Sequence, residues 1–261
     1  MGGHHGGVPI QVFDSHLHVI DPRFPLVPND GYLPPRFTVD DYRTRTAAVD
    51  VIGGVVVSGS FHGVDTTYLL DALDRLGPSF VGVVNVPTDI ADDGLRALAA
   101  AGVRGIRCNL YRGGSTAVTD LVALGRRAWD VVGMHVELYL DAADLAELEP
   151  VLRALPRASV DHLGMTHAHR DVLLRLVERG LRVKATGFGR VDLDVRETLA
   201  AVHRVDPRAL LFGTDLPSTR ARRPFRDEDV AVAVEGLDPD DARAVLVDNA
   251  VAFYRVGTPL D

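Results

Sequence analysis

Val12-Phe13-Asp14-Ser15-His16-Leu17-His18-Val19-Ile20 is a short apolar run that carries two histidines near its far end. It is followed by the breaker-rich Asp21-Pro22-Arg23-Phe24-Pro25 and reads as a buried strand. Side chains two positions apart in an extended chain share a face. His16 and His18 therefore leave the strand end together. Two imidazoles at the carboxyl end of a buried strand suggest a site. The plain alternative is a pair of surface histidines at a strand exit.

Outward from this stretch, apolar and β-rich runs recur with amphipathic segments between them. Strands are predicted over 10–14, 51–58, 80–86, 103–109, 135–140, 158–162, 181–186 and 210–214. A Pro-rich loop with Pro22, Pro25, Pro28, Pro34 and Pro35 follows the first. Helices are predicted from the N-cap Thr38 to about 49, then over 65–76, 92–101, 118–131, 143–155, 170–179, 195–204, 227–235 and 239–253. Gly102 and Gly180 close two of them, and Gly113-Gly114 forms a loop after the fourth strand. Such alternation implies a parallel sheet, and eight units in about 250 residues is the size of a (β/α)8 TIM barrel. A doubly wound open sheet competes. No Gly-rich dinucleotide fingerprint follows strand one, which counts against its best-known version. One domain is expected over 1–261, with 1–9 as a flexible arm whose His4 and His5 are set aside.

Composition narrows the function classes. A net charge of -8 gives no electrostatic case for nucleic acid or an anionic membrane. Local arginines can still bind a small anion. Apolar residues make up 46% and charged residues 25%, ordinary values for a soluble chain. The single Cys108 excludes an internal disulfide framework and fits a reducing, cytoplasmic compartment. No run reaches membrane-spanning length, and the start lacks a secretory hydrophobic core.

A barrel builds its active site where the strands end. There the sequence offers His16 and His18; Ser58 and Ser60, with His62 beyond; Arg107 and Asn109, with Arg112 beyond; Glu137 and Tyr139; Asp161 and His162; Lys184 and Thr186, with Arg190 beyond; and Asp215. Unpaired charges are rarely buried, so polar groups gathered at one end of many strands point to a pocket.

Four motifs appear in order: Phe13-Asp14-Ser15-His16-Leu17-His18, Val160-Asp161-His162-Leu163-Gly164, Phe212-Gly213-Thr214-Asp215-Leu216-Pro217 and Asp248-Asn249-Ala250-Val251-Ala252-Phe253-Tyr254. Together they resemble the amidohydrolase superfamily, and within it the metal-independent branch of pyrone-dicarboxylate and sugar-acid lactonases. The resemblance implies a lactone-opening hydrolase acting on a small anionic cyclic ester or its open acid. Asp215 would be the general base. His16, His18 and His162 would donate to the oxyanion, and as nearby cations would keep Asp215 ionised. Arg107, Tyr139 and Arg190 would bind a substrate carboxylate, with Arg112, Tyr32 and Ser60 as further contacts.

Metal-dependent members of the superfamily also carry a histidine on strand five. Here that strand ends in Val136-Glu137-Leu138-Tyr139, and His135 lies at its start. No cofactor is therefore expected. The alternative is one Zn on His16, His18, His162 and Asp215, in a mononuclear zinc amidohydrolase or decarboxylase. A non-catalytic binding barrel is the third reading, and the partner state is monomer or homodimer. Met165 stands where relatives often carry a basic residue, which removes one expected cation. Lys184 is expected to pair with Glu137, and Cys108 to pack in the core.

Overall fold

The computed structural model describes residues 10–112 and 118–258. The predicted Gly113-Gly114 loop, the 1–9 arm and His4 and His5 lie outside them. Eight strands form one sheet in sequential order: β1 Gln11–Leu17, β2 Asp50–Val57, β3 Phe80–Val84, β4 Val103–Asn109, β5 His135–Tyr139, β6 Ala158–Val160, β7 Arg182–Ala185 and β8 Leu210–Phe212. Every consecutive pair is parallel. The predicted (β/α)8 barrel is thus the observed fold.

The helices are α1 Val39–Arg45, α2 Thr67–Leu76, α3 Asp92–Ala100, α4 Val118–Val132, α5 Leu145–Ala154, α6 Arg170–Glu178, α7 Val195–Val205, α8 Asp229–Ala233, α9 Pro239–Arg243 and α10 Asn249–Tyr254. Local chemistry sets their ends. Thr38 caps α1 by accepting from Asp41 N, and the Asp41 carboxylate returns the bond to Thr38 N. α2 starts two residues later than predicted because the Asp65 carboxylate takes the Thr67 hydroxyl at 2.8 Å. The helix predicted over 239–253 is interrupted at 244–248 by one wider, π-type turn.

Strands β6, β7 and β8 end earlier than predicted, just before their polar residues. His162 and Asp215 adopt left-handed backbone, with φ of 50° and 59°. That conformation cannot continue a ladder, and in non-glycine residues it costs energy, which is common at functional sites.

The barrel closes between β1 and the turn after β8. His18 N donates to Leu216 O and Asp215 N to His16 O, each at 2.8 Å. The apolar core lies between sheet and helices, with Val55, Val56, Ile106, Leu138 and Val183 fully buried. Among the described residues no helix is long and apolar enough to cross a membrane.

Candidate active site

Asp14, buried in β1, fastens the two ends of the barrel together. It accepts from Thr214 Oγ1 at 2.7 Å, Thr214 N at 2.8 Å, Tyr42 Oη at 3.0 Å and His16 N at 3.2 Å. Burial raises this carboxyl's pKa, and the four donors oppose that rise. The clamp holds His16 across from Asp215. It leaves no space at Gly213, where a Cβ would lie 2.6 Å from His16 N.

The centre of the site is a convergence of nitrogens on one oxygen. His16 Nε2, His18 Nε2 and His162 Nε2 each lie 3.9 Å from Asp215 Oδ1. Asp215 Oδ2 is held by Arg190, with Nη2 at 2.6 Å and Nε at 2.8 Å. Asp215 Oδ1 and His16 Nε2 are buried and have no hydrogen-bond partner among the described residues.

The other ring nitrogens fix what the histidines can do. His18 Nδ1 is 2.8 Å from Val57 O. A carbonyl only accepts, so neutral His18 carries its proton on Nδ1 and presents a lone pair at Nε2. His16 Nδ1 is 3.1 Å from Lys184 Nζ. An ammonium only donates, so Nδ1 can accept from it when the ring proton is on Nε2. His162 Nδ1 meets Thr186 Oγ1 at 2.8 Å. The ring rests over Gly187, where a Cβ would come within 2.7 Å of Nδ1.

Burial, the largest influence on each, pushes all three histidines down: His16 to about 3, with Lys184 adding to the effect, and His18 and His162 well below the usual imidazole range. They are neutral, which corrects the expectation of nearby imidazolium cations. The main cation that lowers Asp215 is Arg190, with Arg107 a smaller contributor. Burial outweighs both and raises the carboxyl to about 6. His18 Nε2 is an acceptor in this state, so the donor role expected of the three histidines does not fit His18.

Beneath the histidines lies a buried charge network. Lys184 Nζ is 2.5 Å from Glu137 Oε2 and 3.8 Å from Asp161 Oδ1, as expected for the Lys184–Glu137 pair. Tyr254 Oη donates to Glu137 Oε2 at 3.2 Å. Arg107 Nη2 pairs with Asp161 Oδ2 at 2.8 Å, and its Nη1 bonds Ser58 O. Burial would raise Asp161, but the cations Arg107 and Lys184 hold it well below the usual carboxylate range. Cys108 is buried in the apolar core. His62 is bonded on both nitrogens, to Gly59 N and Val19 O, and stacks on Tyr68, a structural arrangement.

A narrow cleft opens above this cluster. His18 and His162 line its floor, with Arg107, Tyr139 and Arg190 beside them and Ser60, Tyr32 and Arg112 toward the rim. Every predicted substrate contact therefore reaches one cavity. The structure reorders them. Arg107 and Arg190 are engaged by Asp161 and Asp215. Arg112 and Arg220 also line the cleft and have no carboxylate partner among the described residues.

Arg220 was not predicted. It lies in an irregular loop five residues beyond Asp215, where sequence offers no periodicity to orient a side chain. Its guanidinium sits 4.4 Å from the Tyr32 ring centroid and bonds Asn29 O. Tyr139 Oη is buried at the cleft, within reach of the Arg190 guanidinium. Among the described residues four arginines and no carboxylate line the cleft, which makes it cationic. Met165 is buried and does not line it, and His167 and His169 are on the surface.

By residue type His16, His18, His162 and Asp215 make a zinc set; ligand atoms of His16, His18 and Asp215 lie within 4.8 Å of one another, and those of His16, Asp161 and His162 form a second such group. With the His16 proton on Nε2 the donor states do not fit a metal ion. His16 turns a proton toward the common point where a ligand needs a lone pair, and Arg190 already supplies the positive charge on Asp215.

A parallel eight-stranded barrel that gathers imidazoles and a carboxylate at the carboxyl ends of its strands has the architecture of a barrel enzyme. The sequence profile of the amidohydrolase family matches residues 13–256. The chain belongs to that family. It is 34% identical over 174 residues to a 2-pyrone-4,6-dicarboxylate hydrolase of Comamonas testosteroni, an alignment covering 63% of this chain and 55% of that protein. It is 27% identical over 273 residues to a 4-sulfomuconolactone hydrolase of Rhizobium radiobacter, covering 95% of this chain and 91% of that protein. A solved Agrobacterium tumefaciens protein superposes with a TM-score of 0.85 at 22% identity, covering 98% of this chain and 99% of that one, a likeness of fold.

Proposed function

We propose that this chain opens the ring of a small anionic lactone by attack of a water that Asp215 activates. The observation that carries the reading is Asp215 Oδ1, unpartnered and facing three imidazole nitrogens beneath a cationic cleft. A water at that point can give one proton to Asp215 Oδ1 and direct the other at the His18 Nε2 lone pair. Its oxygen attacks the lactone carbonyl, and the carbonyl electrons move onto oxygen. His16 Nε2–H, with the Tyr139 phenol beside the cleft, donates to that oxyanion. The ring C–O bond then breaks, and the proton held by Asp215 passes to the leaving oxygen. Arg112 and Arg220 are the contacts for the substrate's anionic groups. The relatives named as lactone hydrolases support the reaction class.

The reaction runs without a resident metal in this reading. The proton on His16 Nε2 and the tyrosine at the β5 exit support that. The single buried Cys108 supports a cytoplasmic location.

The test is a panel of carboxylated and neutral lactones assayed with the chelator-treated enzyme and with Asp215→Asn. Ring opening that survives chelation and fails in Asp215→Asn is the expected result. Activity restored only by stoichiometric zinc would favour the mononuclear zinc reading. Binding without turnover across the panel would favour a binding barrel.

A further inference from the structure

Lys184 is fully buried beneath the site, 3.1 Å from His16 Nδ1, and no step of the reaction uses it directly. Two carboxylate oxygens compete for the same edge of the ring. Asp161 Oδ1 lies 3.5 Å and Glu137 Oε1 3.6 Å from His16 Nδ1, and neither has a hydrogen-bond partner among the described residues. Were Nδ1 protonated, its N–H would point at an ammonium. With Lys184 removed, the nearest groups would be these two acceptors, and the proton would move from Nε2 to Nδ1. The His16 Nε2 lone pair would then join that of His18 beside Asp215 Oδ1.

We propose that Lys184 is a positioning residue that holds His16 in its Nε2–H form, and that this choice of tautomer keeps the three-histidine cluster a hydrolytic site and not a divalent-metal site. What His16 does to a substrate oxyanion rests on the lactonase reading; the tautomer and the metal preference do not. The idea reverses the usual support of a metal-bound histidine. There a carboxylate or carbonyl accepts from the far nitrogen and frees the near one for the ion. Here a cation stands in the acceptor's place.

The wild-type chain gives the direct test. In ¹⁵N-histidine-labelled protein, two-bond ¹H–¹⁵N correlations report which nitrogen of each ring is protonated, and the His16 signals are those lost in His16→Gln. The expected pattern is a protonated Nε2 on His16 and a protonated Nδ1 on His18. A protonated Nδ1 on His16 overturns the proposal. The second arm is equilibrium dialysis with Zn²⁺. The pair Glu137→Gln with Lys184→Met removes one buried charge of each sign. It should bind one zinc per chain roughly 10–100-fold more tightly than wild type, the scale of a changed outer-shell partner. That zinc should be lost when His16→Gln is added, which also separates it from binding at His4 and His5. Equal zinc affinity in wild type and the pair overturns the proposal. If the pair does not fold, the wild-type spectrum alone decides.

Discussion

Arg190 grips one oxygen of Asp215 and leaves the other untouched: Nη2 and Nε lie 2.6 and 2.8 Å from Oδ2, while Oδ1 faces only imidazole nitrogens at 3.9 Å. The division gives the carboxylate two jobs. Oδ2 fixes its orientation and receives a compensating charge. Oδ1 stays without a hydrogen-bond partner among the described residues, buried beneath the cleft. Burial raises the carboxyl and Arg190 opposes it, leaving the group at about 6. A general base works best near the operating pH, and this balance supplies one.

The pH dependence follows from that value. A base must be ionised, and the ionised fraction of Asp215 grows as pH rises through about 6. kcat/KM, which reports the free enzyme, should therefore climb with pH, bend near 6 and level off above 7. The three histidines are already neutral across this range, so they add no second limb. A profile falling as pH rises through 6 would mean the reactive form is the acid.

Arg190→Gln tests the division of labour. It removes the main cation that lowers Asp215, so the bend should move to higher pH by roughly one to two units, the worth of a charge-assisted pair. A drop in affinity for carboxylated lactones with an unmoved bend would assign Arg190 to the substrate instead.

Arg220→Met should act on binding. The guanidinium is half-buried, held by Tyr32 and Asn29 O, and has no acid beside it among the described residues. KM for a carboxylated lactone should rise by about tenfold, the lower part of the range for a charge-assisted bond because water still reaches the site. A neutral lactone should be little affected. Equal losses on both would make Arg220 a support of the loop.

Arg107→Met should act on the protein. Arg107 is 5% exposed and paired with fully buried Asp161. Removing it strands a carboxylate in the barrel, at a cost of roughly 3–5 kcal/mol. For a chain of this size the fall in Tm is on the order of 10 °C, and carboxylated and neutral lactones should suffer alike. A stable variant with a raised KM for carboxylated lactones alone would restore the substrate role that the sequence suggested for it.

The barrel was legible because strand and helix periodicities are local, and eight repeats of one unit leave few topologies. The floor of the site was legible for a related reason: His16, Tyr139 and Lys184 lie on strands, where alternation decides which way a side chain points. The pairings were not. Arg107 stands two positions before Asn109 on β4, and nothing in that spacing says that its guanidinium reaches Asp161, 54 residues away. Asp14 was quoted in a motif, yet its clamp on Thr214 spans 200 residues. Arg220 was missed because its loop has no period, and its contact with Tyr32 joins two loops from opposite ends of the chain. Protonation was misread for want of burial. The sequence places histidines beside an acid, but only the depth of the site makes them neutral and hands the cation's role to Arg190.

Asp215→Asn is the most severe test of the chemistry. The amide keeps the shape of the side chain and its left-handed turn, whose backbone bonds to His16 O and Ser218 N are untouched. It cannot take a proton from water at neutral pH. Loss of a positioned general base costs roughly 10²–10⁴ in kcat, and that is the expected fall. Affinity for a carboxylated lactone should stay near that of the parent, because Arg112 and Arg220 do not touch Asp215. Arg190 loses its counter-charge in this variant, so a modest tightening of anion binding is expected alongside the lost turnover. Hydrolysis rate and equilibrium binding must be measured on the same preparation, since a zinc ligand would show a different pairing: lost rate together with lost metal. Near-normal turnover in Asp215→Asn would remove the base from the reaction and, with it, the water-activation step on which the lactonase mechanism depends.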